Sequence, residues 1–321
     1  MDKFLERYSS AIEQAFGEYY RRHTSPEHLY QPVHYILSLG GKRLRPALVL
    51  LAADSFGCPL EKVIPAAMAI EVFHNFSLVH DDIMDRAPLR RGHPTVHCRW
   101  DANTAILSGD VMMIQAYELF ETYQGDTFRE VILAFNRVAR QVCEGQQLDM
   151  DYENIEDVSQ AQYMEMIRLK TAVLIGGALR IGGIVAGAPA RELEALEGFG
   201  TDVGLAFQLT DDYLDTFGDP RTFGKRIGGD ILEGKKTFLY ITARERASRE
   251  EFERAFSLAD EEEKIATVRD LYRATGADQA LREQIDRYTE KALAHVDRLP
   301  FSQPYREHYI RLARALVQRK L

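Results

Sequence analysis

Two stretches of helical pattern, residues 60–84 and 190–217, are apolar along much of their length. Each carries the same string of acids near its end, Asp81-Asp82-Ile83-Met84-Asp85 and Asp211-Asp212-Tyr213-Leu214-Asp215. Residues four apart share a helical face, so Asp81 with Asp85, and Asp211 with Asp215, each offer two carboxylates from one wall. Aspartate is unfavourable inside a helix and at the negative end of its macrodipole. A fold that buries both helices must therefore bring cations to both acidic ends. Mg²⁺ suits such a wall, because it takes one or two carboxylates and keeps its other positions for water or phosphate oxygens. One Asp-Asp-x-x-Asp string is usually a solvated acidic patch. Two copies following the apolar runs Phe76 to Val79 and Val203 to Leu209 predict metal sites instead, sharing a cavity that holds a diphosphate.

The remaining sequence predicts the same fold class. Apolar residues recur with a helical period almost everywhere, and alternating strand patterns are absent. Further helices are predicted over 2–20, 27–38, 43–56, 100–122, 126–150, 157–169, 171–187, 234–246, 248–257, 260–273, 275–297 and 302–320. Glycine and proline clusters punctuate them, with no low-complexity linker, so the expectation is a single all-α domain over 1–321. A formal net charge of −9 argues against nucleic acid as a partner. Cys58, Cys98 and Cys143 have no ligand-like spacing and suggest a reducing cytoplasm. No apolar signal region opens the chain. The stretch from Ala172 to Ala190 contains Arg180 and several glycines, so it reads as a core helix rather than a membrane span.

Basic residues stand beside the acids. Gly40-Gly41-Lys42-Arg43-Leu44-Arg45-Pro46 sets three cations at a glycine turn leading into a helix, where backbone amides and guanidinium forks suit phosphate. Arg90-Arg91-Gly92 follows the first acid cluster, and Lys225 and Lys235 bracket the loop after the second. Other patterns lead nowhere. Gly198-Phe199-Gly200 with Gly204 has no preceding strand and the wrong spacing for a dinucleotide loop. Glu71 and His74 form one Glu-x-x-His, and a di-iron bundle needs two.

On these residues the chain resembles the trans-prenyltransferases, the polyprenyl synthetase family of farnesyl and geranylgeranyl diphosphate synthases, from about Gly40 to Thr237. The carrying motifs are Gly40-Gly41-Lys42-Arg43-x-Arg45-Pro46, His74-x-x-Ser77-Leu78-x-His80 with the first acid cluster and Arg90-Arg91-Gly92, Gly145-Gln146-x-x-Asp149, Lys170-Thr171, Phe207-Gln208 with the second cluster, Gly224-Lys225 and Gly234-Lys235. The resemblance implies an isoprenoid synthase fold, a large helical bundle around a central cavity, usually as a homodimer. It implies that Lys42, Arg45, His74 and Arg91 hold isopentenyl diphosphate, and that Arg90, Lys170, Lys225 and Lys235 contact the allylic diphosphate. Asp81, Asp85 and Asp211 would be the chief ligands of about three Mg²⁺ ions, with Mn²⁺ as a substitute, and Asp82, Asp212 and Asp215 secondary ligands or water holders. Thr171 and Gln208 would face the allylic carbons. Such a reaction needs no protein nucleophile, in keeping with a sequence that shows no triad.

Product length should be set on the helix carrying the first acids. At ~1.5 Å rise per residue, Phe76 sits roughly 7–8 Å and Phe73 roughly 12 Å before Asp81. With Ser77 they are expected to floor a tunnel suited to a short or medium product, geranylgeranyl diphosphate first and farnesyl diphosphate second. A terpene cyclase lacks the isopentenyl site and the second Asp-Asp-x-x-Asp. A non-catalytic prenyltransferase subunit typically loses an aspartate motif, and both are complete here. The carboxy-terminal Arg319-Lys320 is read as a tail fraying in solvent.

Overall fold

Apolar side chains spaced four apart build the helices. In α1 (Lys3–Tyr19), Tyr8, Ile12 and Phe16 line one fully buried face. The same logic runs through the computed structural model, which describes residues 3–19, 21–219 and 227–317. The chain is all-α. After α1 come α2 (Glu27–Ser38), α3 (Leu44–Ser55), α4 (Ile64–Met84), α5 (Val96–Arg99), α6 (Ala102–Phe120), α7 (Gly125–Asn154), α8 (Gln160–Ile167), α9 (Val173–Val185) and α10 (Ala190–Phe217). Then follow α11 (Gly229–Glu233), α12 (Phe238–Arg246), α13 (Arg249–Phe256), α14 (Glu261–Ala274), α15 (Ala277–Val296) and α16 (Gln303–Val317). Among the described residues, the strands are β1 (Leu89–Arg90) and β2 (His93–Pro94), an antiparallel pair. No described helix is long and apolar enough to cross a membrane, and all three cysteines are free.

The chain groups into two compact units, Met1–Ala139 with Gly177–Glu197, and Arg140–Gly176 with Gly198–Leu321. In the first, α4 packs along α6 and against α3, and α1 lies on α3 and α4. Phe135 fills the middle of this core, meeting Phe73 edge-on at 5.2 Å and Phe120 at 5.0 Å. Full burial of each such ring contributes ~1.5–3 kcal/mol. In the second unit, α12 packs on α8, α13, α14 and α15, and α15 on α16. Leu205, Ala206, Leu209 and Tyr213 of α10 and Leu281 and Ile285 of α15 belong to its core.

Glycines of α10 make close packing there feasible. A Cβ at Gly200 would stand 2.7 Å from the Gly176 Cα, and one at Gly204 would stand 2.7 Å from the Ala172 Cα. The glycines that superficially suggest a dinucleotide loop are thus helix-packing residues.

Helix boundaries differ from the sequence expectation by up to four residues, and several of these differences have a visible local reason. Leu60–Lys62 form a 3₁₀ turn, and α4 starts at Ile64 with a proline in its first turn. Helix α12 starts at Phe238 rather than 234, because Gly234 ends α11 in the left-handed conformation (φ +65°) and the Thr237 hydroxyl accepts the Tyr240 N–H. The expected break between 169 and 171 is instead a π-helical turn, Arg168–Ala172, joining α8 to α9. Such turns concentrate at functional positions. This one packs directly on α7, where a Cβ at Gly145 would come within 2.2 Å of the Lys170 amide nitrogen.

Candidate active site

In the first unit, α4 ends at Met84, inside the acid cluster itself. Arg86 takes the left-handed conformation (φ +50°), and the Ala87 N–H donates to the Asp82 carbonyl at 3.0 Å while that of Arg86 reaches Ile83 at 3.3 Å. This Schellman closure reverses the chain. The β1–β2 hairpin follows, with Arg91 (φ +54°) and Gly92 (φ +78°) as the two central residues of a tight turn, as a primed hairpin turn requires. Reversal and hairpin together carry Arg90 back to the acids. Its Nε donates to Asp82 Oδ1 at 2.7 Å, and its Nη2 to Asp81 Oδ2 at 3.3 Å.

The three acids of this cluster consequently differ. Asp82 is fully buried against Arg90, and its Oδ2 has no hydrogen-bond partner. Burial raises its pKa, with Arg90 acting in opposition. Asp81 is half-buried and Asp85, the helix cap, is exposed.

The glycine turn supplies the cations. Gly40 and Gly41 adopt φ of +73° and +133°. The Arg91 guanidinium donates to the Gly40 carbonyl and lies flat on Gly41, where a Cβ would be 3.0 Å from its Cζ. Arg45 Nη1 is 3.1 Å from His74 Nε2. Burial lowers the pKa of Arg45 to about 10, against the opposing pull of Glu71. His74 is pushed well below its ordinary value by burial and then by Arg45, Arg91 and Arg90, so it is a neutral imidazole at neutral pH. Arg45, His74 and Arg91 thus belong to one cation-rich corner, with Lys42 exposed on the adjoining glycine turn.

Further along α4, Phe73 is fully buried and its ring lies 5.6 Å from that of the half-buried Phe76 in a tilted arrangement, and Phe76 meets His80 at 4.8 Å. The Ser77 hydroxyl donates to the His74 carbonyl at 2.8 Å.

In the second unit, a cavity of about 460 Å³ is lined by Lys170, Thr171, Gln208, Asp212, Lys235 and their neighbours. A hydrogen-bond chain crosses it. Thr171 Oγ1 donates to Gln208 Oε1 at 3.2 Å, and Gln208 Nε2 to Asp212 Oδ1 at 3.1 Å. The Tyr163 hydroxyl donates to the other Asp212 oxygen. Burial, and then the charges of Asp230 and Asp211, push the Asp212 pKa up to about 8, while Tyr163 and Gln208 oppose the rise. Asp215 turns elsewhere, its Oδ2 accepting the Asp230 N–H at 3.0 Å at the start of α11. Asp211 is half-buried. Lys170 pairs with Asp149. Lys235 lies 3.2 Å from Glu233 and 3.8 Å from Asp230, which together with Asp149 raise its pKa against burial. Lys225, Gly224 and the tail at Arg319-Lys320 lie outside the described residues.

Several cavity residues were not anticipated as such. Tyr163, Asp230 and Glu233 carry no sequence signal. Asp149 does, as the last residue of the Gly145-Gln146-x-x-Asp149 motif, one helical turn beyond the glycine that meets Lys170.

These donors suit a divalent cation. Among the described residues, no group of three or more His, Cys, Asp or Glu side chains is placed to hold a metal alone. Each wall offers hard carboxylate oxygens, among them the buried Oδ2 of Asp82, which has no hydrogen-bond partner, and Asp212, whose pKa is raised first by burial and then by Asp230. That fits Mg²⁺, which completes its octahedron with water and phosphate oxygens.

Known proteins share this chain's pattern. The polyprenyl synthetase family matches residues 26–275. A geranylgeranyl diphosphate synthase of Methanosarcina mazei is 42% identical over 225 residues, 70% of this chain and 69% of that protein. A crystal structure of a geranylgeranyl pyrophosphate synthase matches 100% of both chains at 45% identity, with a TM-score of 0.95. The geranylgeranyl pyrophosphate synthase of Corynebacterium glutamicum, complexed with isoprenyl diphosphate and magnesium, matches 98% of this chain and 96% of its own at 29% identity, with a TM-score of 0.84.

Proposed function

The chain belongs to the polyprenyl synthetase family, and from that premise we propose that it condenses isopentenyl diphosphate with an allylic diphosphate to make geranylgeranyl diphosphate. It is a short-chain trans-prenyltransferase. Residues 1–321 act as one synthase domain, in the cytoplasm. The observation that carries the substrate assignment is the cation corner of Arg45, His74 and Arg91, where a neutral imidazole and two guanidinium groups meet. It suits a diphosphate that is bound and not cleaved.

Lys42, Arg45, His74 and Arg91 bind the isopentenyl diphosphate by charge-assisted hydrogen bonds. Arg90, Lys170, Lys225 and Lys235 bind the allylic diphosphate and face the charge that develops as its C–O bond breaks. About three Mg²⁺ ions, held by Asp81, Asp85 and Asp211, would neutralise diphosphate oxygens and make the diphosphate a better leaving group. The Arg90 and Gln208 contacts hold Asp82 and Asp212 as supports behind those ligands. The oxygens of Thr171 and Gln208 face the allylic cation, and apolar walls keep water from it. The isopentenyl double bond attacks the cation, and the departing diphosphate takes the proton that is lost. Phe76, backed by Phe73 and Phe135, limits the growing tail.

The protein works as a homodimer through α6 and α7, where Ile106, Leu107, Ile114, Phe128 and Leu133 expose apolar surface. Sedimentation of the wild type and of Leu107→Glu tests this, since a monomeric wild type sinks it. The catalytic reading is tested by incubating purified protein with isopentenyl diphosphate, Mg²⁺ and each allylic primer, then sizing the products. No incorporation overturns the reaction. A C15 product overturns the chain length only.

A further inference from the structure

Arg43 stands between two of the cations assigned to isopentenyl diphosphate, yet its own charge points inward. It is 3% exposed, and every side of its guanidinium is taken. Nε donates to Glu13 at 2.6 Å, Nη1 to Glu71 at 2.7 Å and Nη2 to the Leu37 carbonyl at 2.5 Å. Its backbone is left-handed (φ +44°, ψ +35°), immediately before α3 begins. Side chains other than glycine, asparagine and aspartate rarely adopt that conformation unless their surroundings hold them in it.

We infer that Arg43 is a positioning residue for the isopentenyl diphosphate site, and that Glu13 makes the amino-terminal helix part of the same device. This rests on the assignment of Lys42, Arg45, His74 and Arg91 to that substrate. Two physical tasks converge on Arg43. The first is geometric. The backbone turns left-handed at Arg43, so pinning its guanidinium fixes the directions in which Lys42 leaves one side and Arg45 the other. The second is electrostatic. Glu71 is buried on α4, three residues before His74, and its charge acts on both Arg45 and Arg91. Pairing with Arg43, aided by Asn75 Nδ2 at 3.2 Å, keeps Glu71 from drawing those guanidiniums away from a phosphate.

Glu13 is the informative member. Its side chain is 53% exposed, unlike that of Glu71 at 4%, and it reaches Arg43 from α1. Helix α1 is itself tied to the far end of α3 by the Tyr8 hydroxyl, which donates to Asp54 at 2.7 Å. Glu13 on Arg43 and Tyr8 on Asp54 thus brace α1 against both ends of α3, beside the loop that carries Lys42.

The test varies both substrates in steady state. Glu13→Ala is expected to raise the KM for isopentenyl diphosphate roughly five-fold or more, with kcat and the KM for the allylic primer within about two-fold. Glu13→Gln, which keeps an acceptor for Nε, should fall between the two. Arg43→Lys should shift the same constant further, and Glu13→Ala should add little to it, because the two residues act as one unit. A wild-type KM for isopentenyl diphosphate in Glu13→Ala, or equal shifts in both KM values, overturns the inference. A second readout needs no turnover. Amide exchange across residues 40–45 should quicken about ten-fold in Glu13→Ala while that of α6 stays unchanged. Unchanged exchange there overturns the inference even if the chain proves inactive, and inactivity of the wild type alone overturns the substrate reading.

Discussion

The backbone of Lys170 passes so close to Gly145 that a Cβ at position 145 would lie 2.2 Å from the Lys170 amide nitrogen. The π-helical turn that presents Lys170 and Thr171 to the cavity is therefore built against α7, with Asp149 one turn further along to receive the lysine. Gly145→Ala reveals which effect governs. Helix propensity alone predicts a gain of about 0.5–1 kcal/mol. Overpacking against backbone predicts a loss of about 1–3 kcal/mol. The structure puts the loss ahead, because a backbone neighbour has no rotamer into which it can retreat. A lowered melting temperature with reduced kcat is expected, and a stabilised, fully active variant would contradict it.

Neighbouring acids in the first cluster should fail in different ways. Asp82 is buried against Arg90, so Asp82→Asn removes the nearer of that guanidinium's two carboxylate partners, leaving Asp81 at 3.3 Å, and should cost about 1–3 kcal/mol of stability. Asp81→Asn should lower kcat by about 10²- to 10³-fold, the scale for losing one group that acts on transition-state charge, and change the urea midpoint little. Urea denaturation beside single-turnover kinetics separates the two phenotypes.

Phe76→Ala is expected to lengthen the product. The edge-to-face pair behind it, Phe73 against Phe135, stays in place, so the extension should stop after a small number of isoprene units. Reversed-phase chromatography of the dephosphorylated products reads the outcome. An unchanged distribution removes Phe76 as the floor.

His74 predicts a pH dependence of stability. Its folded pKa lies well below the ordinary value because of burial and then the neighbouring arginines. Above about pH 6.5 the imidazole is neutral in both folded and unfolded chains and contributes no slope. As pH falls below that value the unfolded chain gains a proton that the native site refuses, so stability drops by at most about 1.4 kcal/mol per pH unit. His74→Gln, which can still accept from Arg45, removes this loss. Its melting temperature should gain on the wild type between pH 7.5 and 5.5, and parallel curves would argue against the lowered pKa.

How far the local sequence is informative can be judged from particular residues. Runs such as Tyr8, Ile12 and Phe16 declare a helix by spacing alone, whereas α8 begins at Gln160 rather than at the expected 157, because Ser159 and Gln162 form a capping box there. The start of α12 was misplaced because Gly234 and Thr237 look alike as punctuation, although one ends a helix and the other opens the next. The three cations around position 43 also look alike in sequence. Only the fold turns Arg43 inward to Glu71 and Glu13.

Local periodicity and ordered motifs thus determined the all-α class, the placement of the two acid clusters towards helix ends, and the family. Those properties depend on residues within a few turns of each other, where spacing decides which face a side chain occupies. Tertiary structure decided which acids meet which partners: Asp82 with Arg90, Asp212 with Tyr163, Asp215 with the amide of Asp230, and Lys170 with the space left by Gly145. Those pairings join positions that only packing brings together, so burial and charge there depend on the folded neighbourhood and not on the order of the chain.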